Sequence, residues 1–308
     1  MDPVTHALIG LGISKLAGQP MSLENPAFVG TVIGAVAPDL DIVLQKWGDY
    51  VYLKNHRGMS HSVIGLIAFA ALITVVLAPF YQGFNFLDVF LWSFLGCLSH
   101  SGIDMLNSYG VKFLWPLYDR KISFGLFIIF DPVVFGLLCG IAFSNRGIAF
   151  QLLGLLISYI LLRSAMLFNI RRRVKVFFGV DKQKVNIMPS MIGLLKWHFI
   201  VEKPQSKVVG EKSIFGKKIK ILEELKEMEH QSTDKVMNTP VAKFFAEFTP
   251  FYHVVWDDTK RIFKFIDIRY YIRNTFLHHA TVQLDHDYEI VDQKFHPYSI
   301  NRSVDIPL

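Results

Sequence analysis

Cysteine is nearly absent from this sequence of 308 residues, which contains only Cys97 and Cys139. Both lie within apolar runs, so they offer neither a disulfide framework nor a thiolate zinc site. We interpret them as small buried side chains. Any metal ion in this protein would therefore have to be held by histidine and carboxylate ligands.

Several other features are missing as well. The N-terminus lacks the basic region of a secretory signal peptide and has an acid, Asp2, in its place. We therefore expect membrane insertion to depend on the transmembrane helices themselves. The sequence has no internal repeat, which disfavours the inverted-repeat architecture of many transporters, and no low-complexity tract.

Long apolar runs are what the first 170 residues do contain. The chain is 52% hydrophobic with a mean hydropathy of +0.34, and a membrane helix needs about 20 apolar residues. Runs of suitable length cover 27–44, 62–80, 86–106, 124–143 and 148–168, and a shorter one covers 5–16. The sequence predicts five membrane helices, or six if the first run also spans.

Lys and Arg are distributed unevenly between the two ends of these runs. Loops 45–61 and 107–123, together with the stretch 171–175 that follows the last run, contain ten of them, whereas the opposite loops contain only Arg146. The positive-inside rule makes the first group cytoplasmic. We therefore predict a multi-pass membrane protein with a cytoplasmic C-terminal part.

The C-terminal part differs in character. Short strand patterns occur at 174–180, 197–201, 207–209, 252–256 and 281–284, and a helical pattern at 219–230. The sequence thus predicts a polytopic α-helical membrane domain at 1–170 and a small, mostly β cytoplasmic domain at 171–308. The net charge of +6 fits basic cytoplasmic loops. We find no helix-turn-helix pattern and expect no direct nucleic-acid binding, which leaves a cytoplasmic protein as the partner that this domain could recruit.

Ionisable residues inside membrane segments are costly and need a reason. In the predicted topology many of them lie at a similar depth near the cytoplasmic face: His6, Asp39, Asp41, His56, Arg57, His61, His100, Asp104 and Asp131. Hydropathy alone does not require this convergence. It indicates a polar site shared by several helices.

The spacing of these residues favours a metal centre. His100 and Asp104 are four residues apart and share a helix face, and Pro38 interrupts the helix before Asp39 and Asp41. Imidazole with carboxylate suits a divalent metal, most simply zinc or manganese, as one or two ions. The preferred ligands are His6, Asp39, Asp41, His61, His100 and Asp104.

Three residues are open to two interpretations. Asp131 precedes Pro132 and is either a further ligand or the mark of a helix kink. His56 is either a ligand or an acid/base group, and Arg57 either holds an anionic group of a substrate or reaches the lipid headgroups.

Four motifs together resemble a known family. They are Thr5-His6, Pro38-Asp39-Leu40-Asp41, His56-Arg57-Gly58-x-x-His61-Ser62 and His100-x-x-x-Asp104. Over about residues 1–170 the pattern is similar to the membrane-bound metal-dependent hydrolases of the YdjM type, also described as LexA-binding, inner-membrane-associated hydrolases. The resemblance implies a bacterial inner-membrane protein with hydrolase activity, and it implies no particular substrate.

The resulting hypothesis is a hydrolase that uses water activated by a metal ion at the cytoplasmic membrane face. A site at headgroup depth favours a lipid-like or phosphoester substrate. Two alternatives remain. One is an ion or proton transporter that uses the same residues, and the other is a regulatory membrane protein in which the metal is structural.

Overall fold

The computed structural model describes residues 1–181, 184–191, 193–272, 275–297 and 303–306. These residues form two compact units. One unit comprises Met1–Leu44 and Asn55–Met166, and the other comprises Gln45–Lys54 and Leu167–Leu308. The first is helical, and the second contains most of the strands.

The helices of the N-terminal half begin at well-defined caps. Asp2, Asn25, Ser62 and Asn85 each accept a backbone hydrogen bond from the first turn that follows. The helices are α1 (Pro3–Ala17), α2 (Pro26–Val36), α3 (Asp49–Asn55), α4 (Val63–Leu77), α5 (Phe86–Met105), α6 (Pro132–Phe143) and α7 (Arg146–Phe178). Short 3-10 segments cover Ala37–Trp47, Met59–His61 and Ala78–Phe80.

Within the described residues, four segments are long and apolar enough to cross a membrane, namely Pro26–Trp47, Val63–Phe80, Phe86–Met105 and Arg146–Phe178. The segment Pro132–Phe143 is apolar but shorter, and α1 has 15 residues. The prediction of a polytopic helical region is confirmed, with four full-length candidate spans where the apolar runs predicted five or six.

The helix predicted at 124–143 begins later than expected. Pro132 occupies the first turn of α6, and the Asp131 carboxylate accepts hydrogen bonds from the backbone of Val133 and Val134. A proline lacks the N–H that a helix interior needs but suits the first turn. Asp131-Pro132 therefore starts a helix and does not kink one.

Helices α2 and α5 approach each other closely because glycines face the contact. A Cβ atom built on Gly96 would lie 2.2 Å from the Thr31 carbonyl oxygen, and one on Gly34 would lie 2.3 Å from the Ser93 carbonyl oxygen. No larger side chain fits without moving backbone. The approach matters because Asp39 follows α2 and His100 lies on α5.

The C-terminal unit contains two main antiparallel sheets. The strands are β1 (Val185–Pro189), β2 (Lys196–Lys203), β3 (Ser206–Ser213), β4 (Ile219–Lys226), β5 (Tyr252–Asp257), β6 (Ile262–Asp267), β7 (Tyr271–Ile272), β8 (Thr275–Phe276), β9 (His279–Leu284), β10 (Ile290–His296) and β11 (Val304–Asp305). A four-stranded sheet has the order β1-β2-β3-β4, and a five-stranded sheet has the order β11-β10-β9-β6-β5. Strands β7 and β8 form a separate two-stranded sheet. Two helices, α8 (Thr233–Met237) and α9 (Pro240–Phe248), precede β5.

Aromatic side chains fill the core of the five-stranded sheet. Phe244 and Phe245 of α9 pack with Phe263, Phe265 and Phe295 of the strands, all at most 3% exposed. The same core receives Tyr50 and Leu53 from the segment 45–54. The rings of Tyr50 and Phe244 are 5.3 Å apart in an edge-on arrangement.

Two predicted elements of the C-terminal part are wrong. The segment predicted as a helix at 219–230 contains strand β4, which pairs with β3 along its length, so sheet pairing overrides the helical propensity of its Glu, Lys and Leu residues. The strand predicted at 174–180 is instead the end of α7, which continues to Phe178. The other four strand patterns lie within β2, β3, β5 and β9.

We predict that Gly96→Ala lowers the thermal unfolding midpoint of the detergent-purified protein. The added methyl group pushes α2 and α5 apart, and overpacking of this kind destabilises proteins by about 1–3 kcal/mol. Gly102→Ala on the same helix is the matched control, because a Cβ there meets nothing within 4 Å outside its own helix in the described chain. Equal midpoints for the two variants would contradict the prediction.

Candidate metal centre

Two histidines and one aspartate meet at the centre of the N-terminal unit. His61 ends the 3-10 turn before α4, His100 lies on α5, and their Nε2 atoms are 3.1 Å apart. The Asp39 Oδ1 atom lies 3.5 Å from His61 Nε2 and 3.4 Å from His100 Nε2. Three chain segments that are distant in sequence therefore direct potential ligand atoms at one point.

His6 and Asp104 complete this cluster. The His6 ring stacks on the His100 ring with 3.7 Å between centroids, and its Nε2 atom lies 3.4 Å from Asp104 Oδ1. The other oxygen of Asp104 is 4.0 Å from His61 Nε2. The amino group of Met1 contacts both Asp104 Oδ1 and His6 Nε2, so this carboxylate already has a polar partner besides the histidine.

The hydrogen bonds behind the cluster determine how the histidines face it. His100 Nδ1 is 2.8 Å from the Ala35 carbonyl oxygen, which can only accept, so this nitrogen is the donor. In the neutral ring Nε2 then carries a lone pair, which points towards Asp39 and His61. Acceptor atoms that face one another repel, and a shared cation or proton removes the repulsion. The donor set thus fits a divalent metal ion.

Asp41 lies behind the cluster and holds the loop that carries His56 and His61. Its carboxylate is 3.0 Å from His56 Nδ1 and accepts hydrogen bonds from Ser60 Oγ at 3.0 Å and from the Arg57 backbone N–H at 3.3 Å. His61 Nδ1 is farther away, 3.8 Å from Asp41. The His56 side chain is 27% exposed, whereas those of His6, His61 and His100 are fully buried.

Arg57 is buried and points inward. Its guanidinium lies 3.1 Å from Asp104 Oδ2 and donates to Asn107 Oδ1 at 3.1 Å, so the alternative that it reaches the lipid headgroups is not what the structure shows. Its backbone φ is +62°, a strained value for a residue with a Cβ. Hydrogen bonds on both sides of the residue, to Asp41 and from the Lys112 N–H, hold this conformation.

Asp131 does not join the cluster. Besides capping α6, its carboxylate accepts a hydrogen bond of 3.0 Å from the Tyr159 hydroxyl of α7. Among the groups of three potential ligands found in the described residues, none contains Asp131. The structure thus gives this carboxylate a capping role, while the other predicted ligands gather around His61 and His100.

Three overlapping groups place three potential ligand atoms within 4.8 Å of one another. They are His6-Asp39-His100, His61-His100-Asp104 and Asp39-Asp41-His56. His100 belongs to two of them and Asp39 to two, an arrangement compatible with one ion or with a pair. In the described part of the chain every such group lies in the N-terminal unit.

The histidines of the C-terminal unit have a different environment. Burial lowers the pKa of His278 to about 4 and that of His279 to about 3. The His279 ring stacks on the His296 ring at 4.4 Å. The His278 and His279 rings are buried at strand β9 and belong to none of the potential ligand groups in the described residues.

The sequence interpretation missed two residues that support the site. Asn107 donates to Asp104 Oδ1 at 3.2 Å while its own oxygen accepts from Arg57, and Ser60 links Asp41 to His61 Nδ1. Ser60 lies inside the His56–His61 motif, and Asn107 lies three residues after Asp104, so both positions were within reach of a spacing argument.

Comparisons with known proteins agree with this picture. The profile of the YdjM inner membrane protein family matches residues 1–171, and that of the YfhP C-terminal alpha/beta plait domain matches residues 231–303. The chain is 29% identical to the uncharacterized protein YfhP of Bacillus subtilis (strain 168), over 94% of this chain and 93% of that protein. No solved structure matches. The family resemblance seen in the motifs is confirmed.

We predict that the full-length protein, purified in detergent with zinc or manganese supplied, retains metal that Asp39→Ala and His100→Ala lose. Asp41→Ala should still bind metal but about 10–100-fold more weakly, because its carboxylate is held by His56, Ser60 and the Arg57 N–H and we expect it to orient the ligands. Elemental analysis measures the metal content, and chelator competition measures the metal affinity.

The exposed His286 provides the control His286→Ala, which should bind metal like the wild type. Size-exclusion profiles establish that each variant is folded. A folded wild type without metal, or an Asp41→Ala variant as empty as Asp39→Ala, would contradict the prediction.

Proposed function

This chain belongs to the YdjM inner membrane protein family, and from that premise we propose that it is a membrane-bound, metal-dependent hydrolase. The observation that carries the proposal is the inward-facing set of imidazole nitrogens and carboxylates around His61 and His100. A membrane helix rarely contains even one such group without a functional reason.

The proposed ligands are His6, Asp39, His61, His100 and Asp104. They come from α1, from the 3-10 segment after α2, from the turn before α4 and from α5. When bound, a zinc or manganese ion would lower the pKa of water to about 7 and polarise a substrate oxygen. Ser60 and the Ala35 carbonyl hold the rings of His61 and His100 in place.

His56 is the proposed general acid/base. Its Nδ1 atom is paired with the Asp41 carboxylate at 3.0 Å, which orients the ring. It is also the most exposed histidine of the cluster, so it can meet a substrate. In this role His56 accepts a proton from attacking water and returns it to the leaving group.

Arg57 is proposed to position Asp104. Its two terminal nitrogens are directed at Asp104 and Asn107, and the strained backbone at this residue turns the loop so that His56 and His61 can both face the site. An anionic substrate group beside Asp104 would find the same guanidinium.

The substrate class follows from the membrane setting. The excess of Lys and Arg in the loops next to the site supports a cytoplasmic-face location with the C-terminal unit in the cytoplasm. A site at that depth is accessible to esters and phosphoesters of lipids, which we propose as the substrate class.

An ion or proton pathway is the second candidate. It is favoured by one observation, the run of imidazole and carboxylate contacts of 3.0–4.0 Å that leads from His56 to Asp41, then to His61 and to Asp104. Such a run can pass protons as well as bind a metal. The two candidates differ in what His56 does.

We predict that the metal-loaded protein hydrolyses at least one chromogenic ester or phosphodiester, and that a chelator abolishes the reaction. His56→Gln should lower kcat by about 10²–10⁴-fold at unchanged metal content, because a positioned acid/base contributes that much. His286→Gln, a surface change, should leave kcat unchanged.

Equal kcat values for His56→Gln and wild type would rule out the proposed role of His56. The hydrolase proposal would be overturned if folded, metal-loaded protein cleaved no lipid ester or phosphoester and instead carried an Asp39-dependent proton flux in liposomes.

A further inference from the structure

A basic cleft lies in the C-terminal unit, outside the metal centre, where the last turns of α7 face the turn between β3 and β4. Its volume is about 720 Å³. The basic side chains that line it are Arg172 and Arg173 of α7, Lys212 of β3, and Lys217 and Lys218 of the turn. No acidic side chain among the described residues lines it.

The cations of this cleft lack protein counter-charges. In the described part of the chain none of the five forms an ion pair with a carboxylate. Burial, and then the nearby charge of Arg173, lower the pKa of Lys212. Like charges gathered without a counter-ion repel one another, so an anion in the cleft removes an electrostatic penalty.

The turn that carries two of the lysines is held in place. Lys212 is only 2% exposed, and its ammonium group donates hydrogen bonds to the Ser213 and Gly216 carbonyl oxygens. This fixes the turn before β4, so Lys217 and Lys218 line the cleft together with Arg172 and Arg173 of α7.

The remaining lining is apolar. Val176 is 75% exposed and Phe177 is 59% exposed, and both line the cleft with Ile219. A site for a soluble anion has no use for exposed apolar groups, whereas a lipid presents an acyl chain directly beside its phosphate.

The position of the cleft at the end of α7 also favours a lipid. The helix has 33 residues, which is about 50 Å at 1.5 Å per residue, whereas the hydrocarbon core of a bilayer is about 30 Å thick. Its final turns, which carry Arg172, Arg173 and Phe177, therefore lie at the level of the headgroups or beyond.

We propose that this cleft binds the phosphate headgroup of an anionic phospholipid, with its acyl chains directed along the apolar side of α7. Arg172, Arg173, Lys217 and Lys218 bind the phosphate, and Val176 and Phe177 contact the beginning of the chains. The site is separate from the metal centre and does not depend on hydrolase activity.

The test is a lipid titration of delipidated full-length protein in detergent, measured by native mass spectrometry. Phosphatidylglycerol, phosphatidylcholine and inorganic phosphate are the probes. The variant is Lys217→Gln with Lys218→Gln, which leaves untouched the arginines that orient α7 in the membrane. The matched control is Lys243→Gln with Lys260→Gln, two exposed lysines outside the cleft.

The wild type should prefer phosphatidylglycerol to phosphatidylcholine, and the cleft variant should lose affinity for phosphatidylglycerol by roughly 10–30-fold, at about 1 kcal/mol for each charge removed. The control variant should bind like the wild type. Equal binding of both lipids, or equal losses in both variants, would overturn the proposal. Inorganic phosphate that binds as tightly as phosphatidylglycerol would make this a soluble-anion site and would overturn it as well.

Discussion

The removal of carboxylates from water is the constraint on which the N-terminal unit depends. Asp104 is fully buried and Asp39 is largely so. An isolated charge in such a place is strongly unfavourable. The structure surrounds these two with Arg57, three imidazole rings and a position suited to a metal ion. The polar centre is therefore neutralised only as a set, and every member needs the others.

This requirement explains why the helix packing is so tight. Five donors from distant segments can reach one another only if α2 and α5 are nearly in backbone contact, and Gly34 and Gly96 make that possible. Small residues are a common means of close helix approach in membranes. The change from α-helix to 3-10 helix at Ala37 serves the same end, since Asp39 and Asp41 in the 3-10 segment both lie within 4 Å of His61.

Many of the candidate ligands could be predicted because helix periodicity shows which residues close in sequence share a helix face. His100 and Asp104 share a face by spacing alone, and a proline before Asp39 marks a break. Asp131 was ambiguous since Asp-Pro also begins a helix, and only the contacts with Val133, Val134 and Tyr159 decide the matter. Strand β4 was misassigned because its residues favour helices locally, and its pairing with β3 is not encoded in its own sequence. Contacts such as Asn107 with Arg57 span 50 positions and have no local signal.

The packing of Tyr50 and Leu53 against the C-terminal core has a consequence for biogenesis. These two residues leave the ribosome early, yet their partner Phe244 is made roughly 190 residues later, an interval of about 10–40 s at 5–20 residues per second. Tyr50 and Leu53 therefore stay uncovered until translation is well advanced. Burial of the segment Gln45–Lys54 is thus timed by the synthesis of α9, and a truncated chain that ends after α7 would leave these two side chains without their core.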